Sequence, residues 1–200
     1  DKFLYSTVSE NNSWLFEFPS LPKGRFNSVC FVYRDSLYVF GGTDNSSNMN
    51  EIVRYDLSTQ NSGEWTTIAK VNEANQRGGV AFVVEDKVYA GLGEKSNGIR
   101  NGFYVSSDSL TKWELIPSIP AQLGVISSGV YDEQKKSFFM IDNDGKIWEY
   151  NLTTEQWTSR SLWIRMKNYH MFMLDGSIYI LGQDIYQKNK FTVYNPIWDN

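Results

Sequence analysis

Apolar and polar residues exchange places at every second position over runs of four to six residues along most of this 200-residue chain. No segment holds an apolar stripe at 3.6-residue spacing for three turns. A period of two places successive side chains on opposite faces of a strand, so the pattern predicts short, half-buried strands and no helical domain. "SLYVFGGTDN" (36–45) sets the theme, with a run of apolar positions, two glycines and then a polar stretch. It returns as "KVYAGLGEKS" (87–96), more faintly as "SFFMIDNDGK" (137–146), and again as "SIYILGQDIY" (177–186). Tyr38, Tyr89, Phe139 and Tyr179 mark one place in each copy, at intervals of about 50, 50 and 40 residues. Tryptophan recurs with them at Trp14, Trp65, Trp113 and Trp157, and Trp198 follows.

These recurrences predict units of four strands. The first full unit has strands near 27–33, 36–41, 50–56 and 64–69, with Arg34-Asp35 as its first turn. The second has 78–84, 87–92, 101–106 and 112–116, turning at Glu85-Asp86. The third has 125–131, 137–142, 145–150 and 156–160, with Asp144-Gly145 as a second hairpin turn that tolerates positive φ. The fourth has 168–174, 177–182 and 190–194, turning at Asp175-Gly176. A four-stranded unit of this size cannot bury both faces alone, and packing face to face around an axis solves that problem. The chain thus divides into a half blade (1–24), blades at 25–76, 77–123 and 124–164, and an incomplete blade (165–200). A hairpin-rich sandwich would not need tryptophan, glycines and an aromatic strand to return in fixed order.

Aromatic residues make up 16% of the chain, which suits half-buried sheet surfaces. The net charge of −4 and the scatter of the 19 basic residues argue against a nucleic-acid surface. No apolar run reaches membrane-spanning length. Cys30 is the single cysteine, so no disulfide forms within the chain, and its apolar alternating surroundings predict a buried thiol.

Residues 25–68 resemble a kelch repeat. The resemblance rests on Leu37-Tyr38-Val39-Phe40-Gly41-Gly42, on Tyr55-Asp56, and on Trp65 opening the last strand. Later copies keep parts of it: Val88-Tyr89 with Gly91-Leu92-Gly93, Tyr150-Asn151 with Trp157, and Leu181-Gly182 with Tyr194-Asn195. The resemblance implies an all-β kelch-like β-propeller of four-stranded blades, about four of them, of the superfamily that includes the galactose-oxidase central domain, in a bacterial branch. It covers nearly the whole chain and speaks for the fold more than for function, since such propellers include scaffolds, glycan-handling proteins and a few enzymes. Residues 3–18 look like the outer half of a blade, and the last unit supplies three strands. Two accounts stay open: a fragment of a larger ring, or a closed four-bladed ring in which residues 13–18 complete the last blade.

Candidate chemistry is sparse. His170 is the only histidine, which leaves a zinc site without ligands, and the paired histidines of the kelch-like copper oxidases are absent. No metal site and no cofactor are expected. "DNDG" (142–145) places its glycine too early for a calcium loop and reads as a hairpin turn. Asp44, Glu51, Glu94 and Asp184 sit near inter-strand loops, and nothing in the sequence pairs two of them for glycoside hydrolysis. Arginine is more suggestive. Arg25, Arg77 and Arg165 precede Tyr38, Tyr89 and Tyr179 by 12 to 14 residues, so each enters the first strand of its blade near the axis. Together they offer carboxylate recognition, or each bonds locally to carbonyls and acidic loops. The third blade has Ile126 and Ser127 at that place, which weakens a full ring.

The function expected is a noncatalytic binding or scaffold module with a protein or glycan partner, held by the loops 41–50 and 93–101. The competing expectation is a sugar-active enzyme, an epimerase, mutarotase or hydrolase of an acidic sugar. It would use Arg25, Arg77 and Arg165 to hold the carboxylate and His170 or an acid to move protons. The family resemblance and the absent initiator Met point to a bacterial exported or envelope protein, with further blades or another domain outside this chain.

Overall fold

The computed structural model describes residues 4–5, 16–17, 19–44, 46–59, 63–98, 102–107, 109–120, 126, 128–142, 145–163, 166–184 and 186–196. Among them there is no α-helix, only two short 3-10 turns at Leu57–Thr59 and Asn72–Ala74. A two-stranded antiparallel sheet, β1 (Leu4–Tyr5) and β2 (Phe16–Glu17), comes first. Blade one contains β3 (Val29–Tyr33), β4 (Ser36–Phe40), β5 (Glu51–Asp56) and β6 (Thr66–Lys70). Blade two contains β7 (Val80–Val84), β8 (Lys87–Gly91), β9 (Phe103–Ser106) and β10 (Glu114–Leu115). Blade three contains β11 (Gly129–Asp132), β12 (Ser137–Ile141), β13 (Lys146–Asn151) and β14 (Gln156–Trp163). Blade four contains β15 (Lys167–Leu174), β16 (Ser177–Gln183) and β17 (Asn189–Tyr194). Within each blade the strands pair in chain order, all antiparallel. The result is a four-bladed β-propeller arrangement, as the alternation predicts.

The hairpin turns follow from local chemistry. Arg34 and Asp35 both take positive φ, at 45° and 55°, as do Asp175 and Gly176 at 48° and 71°. Two such residues match the right-handed twist of the flanking strands. The first strands of successive blades lie side by side and are linked near the axis by the backbone. Gly78 N donates to Asn27 O at 2.7 Å and Gly79 N to Ile126 O at 2.7 Å. Met171 N donates to the Ser128 hydroxyl at 2.8 Å.

Three apolar clusters sit between blades. Phe31, Tyr38, Phe40 and Ile52 of blade one pack with Val88 and Ala90 of blade two. Phe82, Tyr89 and Phe103 of blade two pack with Phe138, Met140, Trp148 and Tyr150 of blade three. Phe139, Ile141 and Ile147 of blade three pack with Met171, Ile178 and Ile180 of blade four. Strand alternation makes this possible, because each sheet sends one row of side chains forward and the other backward. Aromatic rings dominate the middle interface, where Phe82 stacks on Phe138 with centroids 4.4 Å apart.

The recurrent tryptophans have a shared task. Trp65 Nε1 donates to Pro19 O at 2.7 Å, and Trp157 Nε1 donates to Pro117 O at 2.6 Å. Each indole thus holds the segment that leads into its own blade. Trp113 instead donates to Leu110 O at 2.9 Å and meets Phe40 of blade one edge-on. Trp14 and Trp198 lie outside the described residues.

One expectation is corrected. Cys30 is exposed, not buried. The alternation on β3 aims Val29, Phe31 and Tyr33 at blade two, which leaves Cys30 and Val32 on the opposite side. Desolvation by the surrounding chain still pushes its thiol pKa up, against a smaller opposing effect of Arg25.

Candidate functional site

The loops that follow the second strands cluster at one end of blades one and two. Their shapes are set by side chains that replace missing ladder bonds. In the first loop Asp44 Oδ1 accepts from Ser46 N at 3.0 Å and from Ser47 N at 3.1 Å, while Thr43 Oγ1 donates to Ser47 O at 3.0 Å. Lys23 Nζ pairs with Asp44 Oδ2 at 2.6 Å. The Lys23 ammonium and the Ser46 and Ser47 amides hold the Asp44 carboxyl far below the usual carboxylate range. In blade two, Arg77 and Glu94 exchange two backbone hydrogen bonds, at 3.0 and 2.8 Å. Their side chains also pair, with Nε and Nη2 donating to Glu94 Oε2 at 3.2 and 2.9 Å. Asn48 Nδ2 joins the two loops by donating to Glu94 O at 2.9 Å.

Between these loops lies a cavity of about 270 Å³. Thr43, Ser46, Ser47 and Asn48 line one side, and Arg77, Glu94, Lys95 and Ser96 line the other. Every lining residue is polar, so the cavity suits a hydroxyl-, amide- or carboxyl-bearing group and offers nothing to an apolar ligand. Lys95 is steadied by Tyr104, with its Nζ 3.1 Å from the hydroxyl and 5.3 Å from the ring centre. A second cleft of about 340 Å³ lies on blade two, between Lys87, Ser106 and Ser107 and the segment Ser109–Glu114. It is confined to one blade.

The sequence-predicted arginines occupy different settings. Arg25 is buried, with Nη1 donating to Gly41 O at 3.2 Å and Nη2 to Glu51 Oε2 at 3.1 Å. Its fork braces the loop end of blade one. Arg77 lines the polar cavity and is half-exposed. Arg165 lies outside the described residues. His170 is exposed on β15, across from Leu181. The cavity therefore contains Arg77 but not Arg25 or His170. The four loop acids also work locally: Asp44 and Asp184 accept amides of their own loops, while Glu51 and Glu94 pair with arginines. Sequence reasoning missed Asn48, whose bridge to a residue 46 positions away leaves no local signal. It also gave no separate role to Lys95, which lies in the predicted loop 93–101, or to Tyr104 of the following strand, whose hydroxyl and ring hold it.

Among the described residues no group of three His, Cys, Asp or Glu side chains could hold a metal ion. No helix among them is long and apolar enough to cross a membrane.

The family model described as "Kelch motif" matches residues 24–72. The first blade is a Kelch motif. The match runs from the turn before β3 to the end of β6 and the residues just after, including the Gly41-Gly42 pair that ends β4. No curated protein matches the chain. The Kelch motif and the four-bladed arrangement are consistent with a binding or scaffold role. In the three other blades the same strand order stands on fewer of the motif's residues, and blade three lacks the glycine pair altogether.

Proposed function

We propose that this chain is a noncatalytic binding module that holds a polar segment of a protein partner between the loops 43–48 and 94–96. The observation that carries the reading is the cavity shared by blades one and two, lined wholly by polar side chains and bridged by Asn48. Loops on a rigid sheet scaffold are preferred places for recognition. Arg77 pairs with Glu94 in the lining, and the Lys95 ammonium beside Tyr104 adds a cation to the hydroxyl and amide groups offered there. A glycan is the second ligand class suited to such a lining. An extracytoplasmic location in a bacterium belongs to the same proposal and rests on the family resemblance. Fractionation that finds the natural protein in the cytosol would overturn it.

The test is affinity capture with the intact chain, alongside Asn48→Ala and Ser96→Trp variants whose melting is checked first. The partner should be retained by the intact chain and lost by both variants, and a glycan array should separate the two ligand classes. Equal capture by all three proteins would reject the cavity as the binding site. Turnover of an acidic sugar by the intact chain, abolished by Arg77→Ala, would replace this reading with an enzymatic one.

A further inference from the structure

The 340 Å³ cleft of blade two lies at the other end of its sheet from the polar cavity. Lys87 opens β8, and the ladder sets Val88 opposite Ser106, so the start of β8 meets the close of β9 there. Ser109 and Lys112, ahead of β10, form the facing wall. That wall is anchored. Leu110 takes φ 59° and is buried in one cluster with Val88 and Phe40, and Trp113 Nε1 donates to Leu110 O at 2.9 Å.

The lining leaves its polar groups open. No hydrogen bond or ion pair among the described residues engages the side chains of Lys87, Lys112 or Glu114. Ser106 is 4% exposed, and its hydroxyl likewise has no partner among the described residues. Buried hydroxyls are normally satisfied, so an open one in a cleft wall points to a ligand. In the polar cavity, by contrast, Arg77 is already committed to Glu94.

We propose that this cleft binds a small phosphorylated sugar or polyol, with its phosphate on Lys87 and Lys112 and a hydroxyl on Glu114. The inference is independent of the cavity between blades one and two. Two ammoniums outweigh one carboxylate in the lining, which therefore attracts an anion. Lysines act as point charges that suit phosphate oxygens, and the lining has no arginine fork to select a planar carboxylate. Glu114 can only accept, so the ligand must also carry a donor, which a hydroxyl supplies. The hydroxyls of Ser106, Ser107 and Ser109 can serve either part. Val105 adds an apolar wall for the carbon face of a ring, and the volume leaves room for more than the anion alone.

Isothermal titration calorimetry of the 200-residue chain tests the proposal, with glucose 6-phosphate, inorganic phosphate, glucose and a blocked phosphoserine as probes. Glucose 6-phosphate should bind at one site, inorganic phosphate and phosphoserine about tenfold more weakly, and glucose not at all. Lys87→Gln and Lys112→Gln should each weaken the sugar phosphate about tenfold, the worth of one charge-assisted hydrogen bond. Glu114→Gln should bring it toward the level of inorganic phosphate without weakening inorganic phosphate itself. No binding, equal binding of inorganic phosphate, preference for phosphoserine, or indifference to both lysine variants would overturn the proposal. Amide chemical shifts of the unsubstituted protein guard against misfolded variants. Glucose 6-phosphate should move the amides of Lys87, Ser107 and Lys112 and leave those of Ser47, Asn48 and Lys95 in place. The reverse pattern would reject the site.

Discussion

Phe31 lies on Tyr38 with centroids 5.3 Å apart and an interplanar angle of 10°; Phe172 lies on Tyr179 at 5.2 Å and 10°. The two pairs share register, ring geometry and strand order, and differ in their surroundings. The first is closed over by Val88 and Ala90 of blade two, while the second is open to water. The comparison separates two kinds of order. Cross-strand register alone arranges the rings, since the partners lie directly opposite within one hairpin. Burial needs a second sheet, and most of the stabilisation from an aromatic ring comes with that burial.

The largest expected effect tests this directly. Phe31→Ala should lower unfolding stability by about 3–5 kcal/mol, the usual cost of deleting a buried Phe side chain. Phe172→Ala in the same 200-residue chain should cost about 1 kcal/mol or less, as for a half-exposed residue. Urea melts of the two variants make the comparison, and equal losses would mean that register, not burial, carries the stability.

A smaller contrast separates glycines of the same two blades. Gly41 has φ 63°, and a Cβ there would sit 2.4 Å from Ala74 O. Gly176 has φ 71° and nothing within 4 Å of its Cβ position. Gly41→Ala should therefore cost about 2–3 kcal/mol, combining backbone strain with a clash against main chain. Gly176→Ala should cost about 1 kcal/mol, from the left-handed conformation alone. Thermal melts that rank them the other way would refute the crowding around Gly41.

Alkaline titration extends the contrast to tyrosines. Burial pushes the Tyr150 phenol up to about 12, and burial pushes Tyr169 up as well, with Asp142 adding to it. Both phenols stay neutral in the fold while an unfolded chain ionises near about 10. The stability they contribute is intact below that pH and is lost as pH rises toward about 12. Ultraviolet titration should show Tyr150 and Tyr169 ionising late, only as the sheets open; ionisation of both near the ordinary phenol value would contradict the inter-blade burial.

The smallest effect belongs to the first loop. Asp44 has a depressed pKa, so its support of the loop is present above the ordinary carboxylate range and fades as pH falls toward the depressed value. Asp44→Asn should loosen residues 43–48 at neutral pH and leave the global melt nearly unchanged, read as faster amide exchange at Ser46 and Ser47. Unaltered exchange would show that Thr43 and Asn48 hold the loop without it.

Strand positions, turn residues and the order of the blades were legible in the sequence because they depend on neighbours in the chain. Period-two alternation sets which face each side chain takes, and the Arg34-Asp35 and Asp175-Gly176 turns need only local φ values. The candidate cleft was legible only as two polar loops. Their meeting depends on Asn48 reaching Glu94 across two blades, a distance in sequence that no spacing rule encodes. Cys30 shows the same limit from the other direction. Alternation assigned it a face, but what lies opposite that face is decided by how sheets pack. The tryptophan repeat was visible as a period, while the carbonyls of Pro19 and Pro117 that receive the indoles came only with the fold. The sequence by itself thus determined the strands, their turns and their repetition. Tertiary structure alone decided which faces are dry and which polar groups meet, because burial and long-range hydrogen bonds arise between blades rather than within them.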